Sequence, residues 1–187
     1  DIYDNPANKQ IRDNQITAIT LSKYLRYIPQ ATNSLFSIGY SLDSSYSWLS
    51  LKEINISDEN ENFSSENGVW FDKDKTVLIQ CVALNADTSY TVPSSVEHIN
   101  HNAFPLYVTT ESITIPKSVK EISIDAFSCN DLKSINVDSD NENYSSEDGV
   151  LFNKNKTTLL SYPAKKEGTN YSILSSVEYI GASAFEE

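Results

Sequence analysis

Along this chain a three-residue apolar-polar-apolar pattern recurs at Ile19-Thr20-Leu21, Ile54-Asn55-Ile56, Tyr90-Thr91-Val92, Ile113-Thr114-Ile115, Ile135-Asn136-Val137 and Tyr171-Ser172-Ile173. A period of two puts the outer residues of each triplet on one face of a strand and the middle residue on the other. The triplet centres are spaced by 35, 36, 23, 22 and 36 residues, so a basic unit of 23 is lengthened in three places. Such a self-match is the signature of stacked repeats.

A longer duplication contains the short one. Leu51 to Phe104 lies on Leu132 to Phe185 with an offset of 81 and no gap; about half the positions are identical, and Phe63 stands against Tyr144. The short unit is cleanest from Ser112 to Phe127 (SITIPKSVKEISIDAF) and returns at Ser89 to Phe104 and at Asn170 to Phe185. Ile19 to Ile28 matches Ile113 to Ile122 with an offset of 94. One such unit buries too little apolar surface to offset its ordering entropy, so each must stack on its neighbours. Alternation points Ile54, Ile56, Ile113, Ile115, Ile135 and Val137 inward. Val96, Ile99, Val119, Ile122, Val177 and Ile180 line the return side, and Phe104, Phe127 and Phe185 plug the corner.

Two of the long steps contain a pair of apolar runs around a polar tip, Asp72-Lys73-Asp74-Lys75 and Asn153-Lys154-Asn155-Lys156, which predicts β-hairpin inserts near 68–82 and 149–162. The third, from Ile28 to Leu51, is rich in serine and aromatics. Leu35, Phe36, Ile38 and Leu42 suit one helical face, but Gly39 and the serines weaken it, and an irregular cap placing Trp48 over the first turn is expected. Residues 1–15 follow neither period and read as a leader or cap; 16–187 reads as one solenoid with duplicated segments 51–104 and 132–185.

The combination I-x-I-P-x-S-V-x-x-I-x-x-x-A-F, followed at 129–132 by Cys-Asn-Asp-Leu, resembles the BspA-type leucine-rich repeats of bacterial surface proteins, as does the insert Asp148-Gly149-Val150-Leu151-Phe152-Asn153-Lys154. The resemblance spans Ile16 to Phe185. It implies a right-handed parallel β-solenoid on a secreted or cell-surface protein with adhesive or protein-binding roles; with the six triplets, the inserts and the cap, the chain reads as mainly β, a solenoid of about six turns with two inserted β-hairpins and an irregular N-terminal cap. Leucine-rich repeats place Asn or Cys three residues after the last apolar strand position. Here Glu59, Ser118 or Asp140 stands there, so no continuous asparagine ladder is expected.

Composition narrows the partners. The net charge is −12, with 26 acidic against 14 basic residues, which repels phosphate backbones and anionic headgroups; neither nucleic acid nor a membrane surface is expected. No apolar run has the length of a membrane helix, and no secretory leader is visible. Methionine is absent, so the chain reads as a processed or trimmed product. Cys81 and Cys129 read as small core residues, with a disulfide as the alternative.

Chemistry-bearing clusters are few. His98 and His101 match Tyr179 and Ala182 in the other copy, which keeps no metal-ligand chemistry. Asp58 and Glu61, and Asp138, Asp140 and Glu142, offer the oxygens calcium takes, but without the glycine and distal glutamate of an EF-hand; hydrated turns are the plainer reading. No nucleophile elbow, phosphate loop or Cys-x-x-Cys occurs, and no carboxylate pair stands out as a glycosidase pair. No enzyme, cofactor or metal is expected. Asn55, Asn62, Asn143, Asn155 and Asn170 open glycosylation sequons, which matter only in a eukaryotic secretory route.

The outward column Thr20, Asn55, Thr91, Thr114, Asn136 and Ser172 is the candidate ligand face, a polar ladder on strands set about 4.8 Å apart. An extracellular protein partner leads, a glycan is the alternative, and a structural spacer is third. The last turn is expected to expose an apolar edge, covered by more of the parent chain or by end-to-end self-association.

Overall fold

The computed structural model describes residues 17–27, 53–81, 88–106 and 108–185. The leader at 1–15, the cap around Trp48, and Lys52 and Val82 lie outside the described residues. Among those described there is no helix, and the strands run β1 (Ala18–Leu21), β2 (Glu53–Ile56), β3 (Phe63–Glu66), β4 (Val69–Asp72), β5 (Val77–Cys81), β6 (Ser89–Thr91), β7 (His98–Ile99), β8 (Ser112–Ile115), β9 (Glu121–Ile122), β10 (Ser134–Val137), β11 (Tyr144–Glu147), β12 (Val150–Asn153), β13 (Thr158–Ser161) and β14 (Tyr179–Ile180).

The coil is built from parallel pairs. On the front, β1 pairs with β2, and β6, β8 and β10 form a second stack. On the return side, β5, β7 and β9 stack, as do β13 and β14. Among the described residues four turns carry both a front and a return strand: β2 with β5, β6 with β7, β8 with β9, and β10 with β13. These four replace the six expected from spacing alone. At the ends, β1 has no return strand and β14 no front strand among the described residues, because Tyr171 to Leu174 forms no strand.

The inserts explain why the front ladder divides. Each is a three-stranded antiparallel meander, β3-β4-β5 and β11-β12-β13, where sequence spacing suggested two strands. The missed first strands join the second through Asn67-Gly68 (φ 49 and 77) and Asp148-Gly149 (φ 50 and 75), the left-handed pair of a tight hairpin turn. The meander then occupies the edge of the preceding front strand. Ser65 Oγ accepts the Ile56 amide at 3.0 Å and Ser146 Oγ the Val137 amide at 2.9 Å, while Ile135 N donates to Gly149 O at 2.8 Å. At the far tips, Asp72 and Asn153 accept the amides of Val77 and of Thr157 and Thr158.

The middle strands of the meanders are buried on both faces, which is why Val-Trp-Phe and Val-Leu-Phe run apolar without alternation. Trp70 packs into an N-terminal cluster with Ile54 and Ile56, and its neighbours Val69 and Phe71 pack into the central one. Likewise Leu151 joins the central cluster, and Val150 and Phe152 a C-terminal cluster with Leu159 and Ala184. Both strands are thus walls between cores. Most residues expected inside are buried, as are Cys81 and Cys129, but Phe127, Val137, Ile122 and Val177 are half-buried. Ile180 and Phe185 depart from the expectation and are exposed, β14 being an outer strand of its sheet among the described residues.

Candidate ligand face

The outward column exists in pieces. Thr20 faces Asn55 in register, and Thr91, Thr114 and Asn136 form a second in-register row. Ser172 is exposed but in no strand. A single ladder through all six residues therefore does not form, because the meanders sit at the edges of β2 and β10. Three strands give a row of about 10 Å, from the spacing of neighbouring strands.

The C-terminal end of that row opens into a groove of about 560 Å³, lined on one side by Lys133, Ser134 and Asn136 and on the other by Asp148, Gly149 and Lys166. Ser134 Oγ donates to Ser112 Oγ at 3.0 Å, and Asn136 Nδ2 to the same oxygen at 3.1 Å. Each cation already has an acid. Lys133 lies 2.9 Å from Glu111, whose hydrogen bond holds its ammonium above the usual lysine range, and Lys166 lies 2.8 Å from Asp148. Gly149 keeps the wall low, since a Cβ there would meet Ser134 Cβ at 2.9 Å. The surface offers hydroxyls, an amide and paired charges of both signs, the chemistry of polar recognition.

Neither acidic run gathers its carboxylates. Asp58, Glu61, Asp138, Asp140 and Glu142 are all exposed, and among the described residues no group of three His, Cys, Asp or Glu side chains converges. The cation at these turns is lysine: Lys73 Nζ bonds Asp58 O at 3.0 Å, and Lys154 Nζ bonds Ser139 O at 3.1 Å and also reaches Asn141 O. What the runs hold is a buried asparagine. Asn141 Nδ2 donates to Pro116 O and Val119 O of the previous turn, both at 2.9 Å, and its Oδ1 accepts the amides of Asn143 and Tyr144. Asn60 repeats the arrangement against Ser22 O and Leu25 O. These locks stand one residue after the expected ladder position, where the neighbouring acids disguised them.

The histidines serve separate contacts. His98 Nδ1 lies 3.1 Å from Glu121 Oε2, and His101 Nδ1 lies 2.8 Å from Ile124 O. Beside His98, the Lys120 hydrogen bond holds the Glu97 carboxyl below its usual range. Among the described residues the aromatic side chains form no platform on the row: Trp70, Phe71, Phe104 and Phe152 are buried, whereas the exposed Tyr24 and Tyr27 belong to the first turn and Tyr179 to the last. Lys166 and Asp148 were absent from the sequence-based candidates. The Asp-Gly turn signalled the second, but nothing signalled the first, whose counterpart is Asn85.

A solved structure of a leucine-rich repeat protein from Eubacterium ventriosum superposes on 99% of the chain with a TM-score of 0.57 at 24% sequence identity. The chain has a leucine-rich-repeat fold. It spans about half, 48%, of that protein's length. Weaker similarities of this leucine-rich-repeat chain are to the pneumococcal vaccine antigen PcpA (TM-score 0.43, 21% identity, 91% of this chain and 31% of that one) and to a leucine-rich cell surface protein from Faecalibacterium prausnitzii (TM-score 0.40, 19% identity, 75% and 53%). No family model and no curated protein matches the sequence.

Proposed function

We propose that this chain is a non-enzymatic, extracellular repeat module of a bacterial surface protein and that it binds a protein partner through the row ending at Asn136. The observation that carries the reading is the groove beside that row, with its paired charges of both signs. The resemblance to BspA-type repeats and the acidic surface support the location. The row alone is narrower than the ~800 Å² per partner of a standard interface, so the partner also engages Lys133, Glu111 and the wall at Asp148. Among the described residues the packed Trp70, Phe71, Phe104 and Phe152 favour a protein partner over a glycan.

The test is a binding screen of the purified chain on immobilised extracellular-matrix proteins, with a glycan array in parallel. Binding to a matrix protein that falls at least tenfold in Asn136→Arg supports the proposal. Binding to glycans alone replaces it with a carbohydrate-binding module, and silence in both replaces it with a spacer.

A further inference from the structure

The chemistry of the groove beside Asn136 belongs to the second copy of the long repeat alone. Carried back by 81 residues, its lining residues Ser134, Asp148, Lys166 and Glu167 become Glu53, Asn67, Asn85 and Ala86, whereas Lys133, Asn136, Ser146 and Gly149 return unchanged. Ser112, the acceptor of Ser134 and Asn136, stands where the first turn has Ala18. Among the shared residues, Ser146 and Gly149 hold the meander against its front strand. The divergent residues carry most of the charges and hydroxyls, a chemistry the fold of the repeat does without in its other copy.

Three groups in the groove are left unspent. Of the four charged residues that line it, Lys133 is paired with Glu111 and Lys166 with Asp148, while the exposed Glu167 makes no hydrogen bond or ion pair among the described residues. Ser112 Oγ accepts from both Ser134 Oγ and Asn136 Nδ2, so its acceptor places are filled and its single O–H remains to donate. Asn136 spends its amide nitrogen there and on Ser134 Oγ at 3.4 Å, and its Oδ1 accepts from no described residue. The open set is thus one carboxylate, one donor and one acceptor.

An extended peptide supplies the complement: a backbone carbonyl for Ser112, a backbone N–H for Asn136 and a basic side chain for Glu167. The field agrees. The Lys133 ammonium is held above the usual lysine range by its hydrogen bond to Glu111, and the Glu167 and Asp131 carboxylates add to the effect, so the ground beside it favours a further cation. We infer that the groove takes an extended segment of the partner, with a basic side chain on Glu167 and its backbone on Ser112 and Asn136. The inference rests on the protein-binding reading above and adds the partner's chemistry to it.

Fluorescence polarisation of a labelled alternating serine–arginine peptide against the full chain, at physiological salt, tests it. Saturable binding is expected, and none of the alternating serine–glutamate peptide. Glu167→Gln should weaken binding at least tenfold, and Ser112→Ala roughly fivefold, the loss of one hydrogen bond. Glu61→Gln, which removes the same charge from an exposed site in the first copy, should leave binding unchanged. All three variants should keep the wild-type circular dichroism spectrum, since Glu61 and Glu167 are exposed and alanine already stands at the counterpart of Ser112. No binding overturns the inference, as does an equal loss in Glu61→Gln and Glu167→Gln, the mark of diffuse attraction to an acidic protein. Matrix-protein binding that falls in Asn136→Arg but survives both Glu167→Gln and saturating peptide overturns this inference alone. Peptide binding as expected while every matrix protein stays silent supports the groove chemistry and ends only the reading it rests on.

Discussion

Ile122 donates its backbone N–H to the phenolic oxygen of Tyr144 at 2.9 Å. The bond closes the outer edge of β9, where the second meander separates it from β13, and burial pushes the Tyr144 hydroxyl above its usual range. Tyr144→Phe should therefore cost about 1 kcal/mol, the penalty for leaving that amide unpaired. Urea denaturation together with amide exchange at Ile122 checks it; an unchanged Ile122 exchange rate would show that the hydroxyl is dispensable.

Asn141 makes four hydrogen bonds from a fully buried site, two of them to the previous turn. Asn141→Ala strands two carbonyls and two amides, so a loss of about 3 kcal/mol is expected. The exposed Asn136→Ala should stay within about 0.5 kcal/mol. Equal unfolding midpoints for the two variants would contradict the lock.

The corner phenylalanines should separate by position. Phe104→Ala removes a ring with no exposed surface and should cost about 3–5 kcal/mol. Phe185 is 46% exposed, and its truncation should cost roughly 1 kcal/mol because much of its transfer is already forfeited. The comparison is made at a concentration where the chain is monomeric, and similar losses would mean that the final corner is packed as tightly as the first.

Cys129 supplies a pH dependence. Burial pushes its thiol from 9.0 up to about 12, with the Asp131 carboxylate adding to the rise. A proton held more tightly in the folded state stabilises it fully below the unfolded value, so this contribution is intact below about pH 9 and is lost as pH climbs toward 12. Urea midpoints should fall more steeply over that interval in the wild type than in Cys129→Ala. Peptide mapping after thiol labelling at pH 8 should find Cys129 unmodified until the protein is denatured.

The front strands were legible because alternation is a local property: Ile-Asn-Ile and Ile-Thr-Ile state which face is buried without help from elsewhere in the chain. Phe63-Ser64-Ser65-Glu66 carries no such signal, so β3 and its copy β11 were missed, although Asn67-Gly68 and Asp148-Gly149 marked the turns that follow them. The polar column holds at Thr20, Asn55, Thr91, Thr114 and Asn136 but not at Ser172, and it is not one ladder, since its division depends on Ser65, Ser146 and Gly149 reaching edges that only folding brings near. Asn60 and Asn141 were hidden for a similar reason. Their burial comes from carbonyls roughly one repeat upstream, while their immediate neighbours are the acids of a hydrated turn.

The two-faced strands β4 and β12 also bear on how the molecule comes apart. In a repeat array each unit draws stability from its nearest neighbours. Here that transfer crosses two meander strands at each boundary, β4 and β5 through Trp70 and Ile79 against Val69, Phe71 and Leu78 on one side, and β12 and β13 through Leu151 and Leu160 against Val150, Phe152 and Leu159 on the other. Unfolding cooperativity is thereby divided into three compartments, and the outer two can open while the central one, closed between its walls, keeps its protected amides.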